Sequence, residues 1–439
     1  MNYLPHTPED IARMLPVANA PTIEALFDDI PRDVYKTEPL FEPGMDEARL
    51  VRYISGLADR STRFDAQFLG AGCYRHFIPS VLGRLASRPE FVTAYTPYQP
   101  EMSQGVLQAI YEYQTAICRL TGMDASDASL YDGATAACEA ALLCHAEKRG
   151  GTVVASKGLH PHTIETLKTY LGAREIPLIL IDLAGGCTQV EDIKNAASGE
   201  AICCVIAQSP NFEGIIEDMG ALCAAAHEHG ARFVASVNPL SLAILAPPGE
   251  YGADIAIGEG QPLGIPMSFG GPGLGFFAVK GELTRRMPGR IVGRTRDKDG
   301  NNAYVLTLQA REQHIRREKA SSNICTNHSL CAVTASIYLA AMGPKGLAEA
   351  ANACVANARA LIQVLQRRGF AIENPGAPHF HEFVVVSKMN AAALRNALLE
   401  RNILGGLPLD GNRTLWCATE MTTPEDLTLL DKALAEVMA

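Results

Sequence analysis

The sequence lacks the features of a secreted or membrane-bound protein. Its twelve cysteines include no CxxC pair, and several lie in apolar runs, as Cys203 and Cys204 do, where they behave as small hydrophobic residues. This usage predicts a reducing, cytoplasmic compartment. The amino-terminal residues include an early acidic pair and no apolar signal region, so we expect no signal peptide. We also expect no apolar run long enough to span a bilayer.

Positive charge is scarce as well. The chain has 38 Lys and Arg against 48 Asp and Glu, which gives a formal net charge of −10. This balance argues against nucleic acid and against an anionic membrane as the main partner. A hydrophobic content of 47% with 20% charged residues is typical of a globular enzyme. The length of 439 residues exceeds what one hydrophobic core usually serves, so we expect more than one domain.

The chain does contain a regular alternation of apolar strands and helices. Because such strands form parallel sheets covered on both faces, residues 51–320 are predicted to be a large α/β domain. The ligand of such a sheet lies beyond the carboxyl ends of its strands. Residues 1–50 are predicted to be a helical arm, with a helix beginning at Thr7 and Pro8, and residues 321–439 a small α+β domain. The predicted strands include Thr152–Ala155, Leu178–Asp182, Ala201–Ala207 and Arg232–Val237.

Three loops combine polar side chains with a constrained backbone. Asp132–Thr135 ends a strand and begins a helix with small residues, which is equally compatible with an anion cradle and with a tight turn. Gln208–Gly214 follows an apolar strand, a position that favours a site-lining loop over a simple turn. Tyr95–Gly105 holds two tyrosines, two prolines and two glutamines, which favours ligand recognition over a helix entry capped by Ser103.

Histidine pairs with one intervening residue invite a metal interpretation. The usual zinc spacings to cysteines or carboxylates are missing around these pairs, and the pair His227/His229 falls at a predicted helix end. We therefore expect no metal site as the main function. The three pairs are His160/His162, His227/His229 and His379/His381.

Six stretches are long and specific rather than generic. They are FLGAGCYRHFIP, YTPYQPEMSQG, LYDGATAACEA, GEGQPLGIPMSFGGPG, MPGRIVG and REQHIRREKASSNICTN. Together they resemble the glycine decarboxylase family, the pyridoxal-phosphate (PLP) P-protein of the glycine cleavage system. The resemblance implies a fold-type-I PLP-dependent transferase-like large domain with a mostly parallel sheet, a small C-terminal α+β domain and an N-terminal arm.

The match is to the half of the family that lacks the cofactor lysine: the α subunit of the split bacterial form, or the amino-terminal half of the fused form. In the catalytic half, a lysine that forms an imine with PLP precedes a PHGGGGPG stretch. Aligning that stretch with Pro266 and Gly270–Gly273 places Gln261 at the lysine position, and no lysine stands between Lys194 and Lys280. A neutral amide cannot form the imine.

The carboxylate that would face the pyridine nitrogen is missing too. The strand end that should carry it reads Phe233–Pro239 without an acid. The loop Gly133, Ala134 and Thr135 remains compatible with phosphate as a vestigial cradle. The resemblance therefore implies that PLP is carried by a lysine-bearing partner subunit in an α2β2 assembly, and that no cofactor is covalently bound to this chain.

The resemblance further implies an active site at the subunit interface, to which this chain contributes in trans. The reaction would be decarboxylation of glycine, with aminomethyl transfer to the lipoyl arm of H-protein. The candidate in-trans residues are Tyr95, Thr96, Tyr98, Gln99, Glu101, Ser103, Gln104, Ser268, Phe269, Gly270 and Gly271.

A cluster of arginines is the candidate approach for the acidic H-protein, although plain surface positions or subunit pairing explain it at least as well. Two alternatives stay open for the whole chain: a purely structural partner of the catalytic subunit, and an autonomous PLP decarboxylase or aminotransferase using Lys157 or Lys280. The arginines are Arg285, Arg286, Arg290, Arg294 and Arg296.

Overall fold

The computed structural model describes residues 5–31, 33–34, 44–196, 199 and 201–438. The chain divides into two compact units, residues 1–63 and 64–439. The sequence-based borders at residues 50 and 320 stay predictions.

The first unit is built from short helices. Thr7 begins the first helix with a capping box, and Pro8 stands in its first turn, as the sequence predicted. Residues 1–4, 32 and 35–43 of the predicted arm lie outside the described residues. The elements are α1 (Pro8–Val17), a 3₁₀ turn (Glu24–Phe27) and α2 (Glu47–Ala58).

The second unit alternates strands and helices over most of its length. Its strands are β1 (Ala66–Gln67), β2 (Ala125–Ser126), β3 (Thr152–Ser156), β4 (Leu178–Ile181), β5 (Leu183–Ala184), β6 (Cys187–Thr188), β7 (Ile202–Ser209), β8 (Arg232–Val237), β9 (Ile255–Glu259), β10 (Gly275–Val279), β11 (Ile291–Arg296), β12 (Asn302–Thr307), β13 (Ala371–Ile372), β14 (Glu382–Val386), β15 (Ile403–Leu404), β16 (Leu407–Pro408) and β17 (Arg413–Cys417). Its helices are α3 (Ser80–Ala86), α4 (Pro89–Val92), α5 (Gln104–Thr121), α6 (Gly133–Lys148), α7 (Pro161–Gly172), α8 (Val190–Ala196), α9 (Met219–Glu228), α10 (Gln313–Arg316), α11 (Ser329–Arg367), α12 (Ala391–Leu399) and α13 (Pro424–Val437).

The largest sheet has seven strands in the order β2-β10-β9-β8-β7-β3-β4. Strands β4, β3, β7, β8 and β9 are mutually parallel, and β10 pairs antiparallel with both β9 and β2. Successive residues of β7 alternate between two cores: Val205 and Ala207 pack on one face, and Cys204 and Ile206 on the other. Because both faces are covered, the strands read as continuous apolar runs, and the predicted mostly parallel α/β sheet is confirmed.

A second, antiparallel sheet has the order β13-β14-β17-β16. Its core contains the fully buried Trp416, together with Leu398 from α12 and Leu434 from α13. This α+β arrangement agrees with the composition of the last 120 residues or so, where helices and short strands alternate.

Helix α11 is long and apolar enough to cross a membrane by length and composition alone, so the expectation of no such run was wrong. The helix is interrupted at Gly343, where φ is +60°, and Pro344 follows. Its side chains belong to both cores, with Ala335 and Tyr338 packed in the large-sheet core and Leu361 in the small-sheet core. About 28% of its most apolar 18-residue window is buried in the fold.

Candidate active site

A cavity of about 660 Å³ lies beyond the carboxyl ends of the parallel strands. His160 comes from the end of β3, Gln208 from β7, Asn238 from β8 and Glu259 from β9, so neighbouring strand ends supply its wall. This is where an open parallel sheet places its ligand. The loop that begins at Gln208 lines the cavity, as the sequence led us to expect.

Gln261 lies at this wall, but its side chain is held by the chain itself. Its Oε1 accepts a hydrogen bond from Tyr74 N at 3.0 Å, while Nε2 donates to Tyr74 O at 2.9 Å and to Ile265 O at 2.8 Å. The residue is only 6% exposed. Gln261 therefore joins the loop after β9 to the segment around Tyr74.

The strand that should carry a pyridine-facing acid ends in uncharged residues. Ser236, Val237 and Asn238 line the cavity. The Asn238 amide lies 3.4 Å from His381 Nε2, and its Oδ1 accepts from Leu240 N at 2.9 Å. No carboxylate occupies this strand end, in agreement with the sequence.

The start of α6 is already occupied by a carboxylate. Gly133 N donates to Glu259 Oε2 at 3.1 Å, and Thr135 N donates to Asp132 Oδ1 at 2.7 Å. The Thr135 hydroxyl is bonded within the same capping box, to Asp132 O at 3.0 Å, so its expected role in an anion cradle is not supported. Of the vestigial phosphate loop, Gly133 and Ala134 line the cavity.

These residues do not fit the cofactor of the fold class. An imine-forming lysine and a pyridine-facing acid are both missing at their places, and the helix start that would receive a phosphate holds Glu259. The described residues lining the cavity include neither lysine nor arginine.

The segment from Ala71 to Phe77, whose first four residues line the cavity, is held by side chains from distant parts of the chain. Glu382 accepts from Ala71 N and from Tyr74 Oη, both at 2.6 Å. Glu420 accepts from Phe77 N at 2.6 Å and pairs with His76 Nδ1 at 2.8 Å. Burial raises the pKa of Glu382 to about 7, although its hydrogen bonds from Ala71 N and Tyr74 Oη favour the charged form.

His160 is the aromatic residue on the α7 side of the cavity. Its Nδ1 accepts from His162 N at 3.1 Å and its Nε2 lies 3.0 Å from Ala71 O, so the neutral ring carries its proton on Nε2. Burial lowers the pKa of His160. Both members of the pair, His160 and His162, line the cavity.

The loop from Tyr95 to Gln104 does not line this cavity. Tyr95 is 81% exposed, and Tyr98 is 43% exposed with its hydroxyl accepting from Arg290 at 3.1 Å. Thr96 and Ser103 are partly buried, and Gln99 and Glu101 are exposed. The Gln104 side chain is bonded to both N and O of Tyr304, so it fixes β12 and is not available to a ligand.

The second in-trans candidate, the loop Ser268–Gly271, forms the rim of the cavity. Gly270 and Gly271 line it, whereas the Phe269 ring is fully exposed to solvent. Ser268 and Phe269 have φ values of +44° and +57°, a region that side-chain-bearing residues rarely adopt. The rim therefore combines a fully exposed aromatic ring with an unusual backbone conformation.

The arginine cluster is not a single surface. Arg290 is 4% exposed, donates to Asn327 and Tyr98, and packs over the Tyr98 ring, so its assignment to an H-protein approach was wrong. The other four, Arg285, Arg286, Arg294 and Arg296, are exposed.

The profile of the glycine cleavage system P-protein matches residues 1–434. The chain belongs to the glycine cleavage system P-protein family. A relative from Exiguobacterium sibiricum, named probable glycine dehydrogenase (decarboxylating) subunit 1, is 47% identical over 442 residues and covers 98% of each chain. A relative of the same name from Moorella thermoacetica is 46% identical and covers 100% of each chain.

Solved structures agree with this membership in the P-protein family. A glycine decarboxylase (P-protein) of the glycine cleavage system, crystallised in inhibitor-bound form, superposes with a TM-score of 0.93 at 44% identity over 100% of both chains. An aspartate aminotransferase from Thermus thermophilus superposes with a TM-score of 0.60 at 17% identity, covering 85% of this chain and 100% of its own. The latter likeness concerns the fold alone and confirms the expected PLP-transferase-like architecture.

Several residues of this P-protein chain escaped the sequence analysis. Tyr74, Glu382 and Glu420 were not singled out, because nothing in sequence connects positions more than 300 residues apart. Glu259 was a different case. It stands two residues before Gln261 in a loop where glycine and proline predominate, so its negative charge in that loop was the signal that could have identified it as a site residue.

Proposed function

We propose that this chain is the subunit of a glycine dehydrogenase (decarboxylating) that does not carry PLP, and that it completes the active site of a lysine-bearing partner. The assembly is an α2β2 heterotetramer in the cytoplasm. It decarboxylates glycine and passes the aminomethyl group to the lipoyl arm of H-protein.

The observation that carries this proposal is the state of Gln261. Its amide is buried and makes three hydrogen bonds to backbone groups, so the residue that the sequence alignment pairs with the reactive lysine is bound within the chain. A chain of this family that retains the fold and lacks the nucleophile needs a second chain for the chemistry.

The in-trans contribution is supported by exposure. Tyr95, Met102 and Phe269 are 81%, 79% and 103% exposed, which is unusual for such large apolar side chains on a folded surface. Aromatic residues of this kind supply most of the energy at the centre of protein interfaces. We assign them to contact with the partner subunit, where they border the pocket that receives glycine.

The approach of H-protein is assigned to Arg285, Arg286, Arg294 and Arg296. Arg294 and Arg296 extend from the β11–β12 hairpin, and Arg285 and Arg286 precede it. Exposed arginines in a chain of net charge −10 would steer an acidic partner. Charge reversal at Arg294 and Arg296 should slow association with H-protein and leave subunit assembly intact.

Reconstitution with the lysine-bearing subunit tests the central proposal. After borohydride reduction, mass spectrometry should find the pyridoxyl label on a lysine of the partner and none on this chain. A label on Lys157 or Lys280 of this chain would contradict the proposal and favour an autonomous enzyme. Assembly and activity that do not change with Tyr95→Ala plus Phe269→Ala would instead favour a purely structural partner.

A further inference from the structure

We propose that Glu259 is a built-in anion that takes the place of a phosphate group at the start of α6, so that the cavity of this chain excludes phosphate-bearing ligands. The inference concerns this chain alone and does not depend on the partner or on the reaction proposed above.

The bonding of Glu259 is that of a bound anion. Its Oε1 accepts from Gln261 N at 2.9 Å and from Leu274 N at 2.8 Å, and its Oε2 accepts from Gly133 N at 3.1 Å. Three backbone N–H groups therefore converge on one carboxylate. One of them is the first N–H of a 16-residue helix, where the helix dipole also favours negative charge.

Two glycines provide the room that the Glu259 side chain needs to reach the helix. A Cβ at Gly133 would lie 2.9 Å from Glu259 N, and a Cβ at Gly273 would lie 3.0 Å from Glu259 Oε2. Both distances are too short for an ordinary carbon contact, so these two glycines let the carboxylate reach the helix. A phosphate group could enter only by displacing the side chain.

The surrounding charge also opposes a phosphate. Asp132 lines the same cavity beside Glu259, and the lining described above contains neither lysine nor arginine. Burial and the neighbouring Asp132 raise the pKa of Glu259, while its three N–H partners lower it. A doubly charged phosphate beside these carboxylates would meet like charges in a poorly solvated place.

Thermal unfolding of the purified chain with inorganic phosphate tests the inference. Glu259→Ala empties the position and frees three N–H donors, so about 20 mM phosphate should raise its Tm by about 2 °C over chloride at equal ionic strength, as for a roughly millimolar site. The wild-type chain should not respond. Asp218→Ala is the matched control, because it removes an exposed carboxylate from the start of α9 and should not respond either.

Glu259→Gln covers the case in which the alanine variant does not fold. The amide keeps the volume and removes the charge, so phosphate should raise its Tm by less than that of Glu259→Ala but by more than that of the wild type. The inference is overturned if phosphate stabilises the wild-type chain as much as the variants, or if folded variants do not respond to phosphate at all.

Discussion

The loop Gly258–Gly273 consists of two halves that behave in opposite ways. From Gly258 to Ile265 nearly every residue is buried, and the polar side chains Glu259 and Gln261 each make three hydrogen bonds inside the chain. From Pro266 to Gly270 every residue is exposed, and the Phe269 ring has no cover. The two halves therefore differ in their contacts: the polar side chains of the first half bond within the chain, and the side chains of the second half face solvent.

The first test of this comparison removes the hydrogen bonds that Gln261 makes from the buried half, Gly258–Ile265. Gln261→Ala leaves Tyr74 N, Tyr74 O and Ile265 O without their partners, and buried unpaired backbone groups are costly. We expect the free energy of unfolding to fall by about 2–4 kcal/mol, measured by urea denaturation. Gln108→Ala, at an exposed helical position, is the control and should cost about 0.5 kcal/mol or less. Equal losses of unfolding free energy in the two variants would show that the Gln261 hydrogen bonds do not stabilise the loop.

The second test uses pH. The pKa of Glu382 is about 7 in the folded chain against an ordinary 4.5, so the folded state holds a proton that the unfolded state releases. The stability that comes from this extra proton on folded Glu382 is complete below about pH 4.5 and is lost as pH rises through 7. Glu382→Gln mimics the protonated form. The variant should gain on the order of 1–3 kcal/mol over wild type between pH 5 and pH 8 in urea unfolding.

An equal difference between the two proteins at both pH values would show that Glu382 does not titrate in this range. Glu139, whose pKa burial also raises to about 7, gives an independent comparison within the α6 core. Glu139→Gln should produce a pH dependence of the same sign.

The smallest effect on stability is expected in the exposed half, Pro266–Gly270. Phe269→Ala should change the free energy of unfolding of the isolated chain by about 0.5 kcal/mol or less, because the ring contacts little within it. In the reconstituted enzyme the same variant should weaken subunit association or lower kcat/KM for glycine by about tenfold. Leu429→Ala, exposed on α13, is the matched control and should alter neither. A large loss of stability in the isolated Phe269→Ala chain would break the comparison.

The sequence predicted the parallel sheet well because both faces of β7 and its neighbours are covered, and this leaves an unbroken apolar signal. Gln261 does line the cavity, while its equivalence to the cofactor lysine of the family stays a prediction. The sequence could not predict that the Gln261 amide bonds to Tyr74, a contact between residues 187 positions apart. The error on Arg290 has a similar cause, because a charged residue in a basic stretch looks exposed until its buried partners Tyr98 and Asn327 are known.

The segment Ala71–Phe77 has a consequence for motion. Gln261 holds it from the large sheet, while Glu382, Glu420 and Thr419 hold it from the side of the small sheet. Any rotation of one sheet relative to the other would break several of these hydrogen bonds together. The amide protons of Ala71, Tyr74 and Phe77 should therefore exchange with solvent only when the two sheets separate, which makes this short segment a reporter of the largest opening that residues 64–439 undergo.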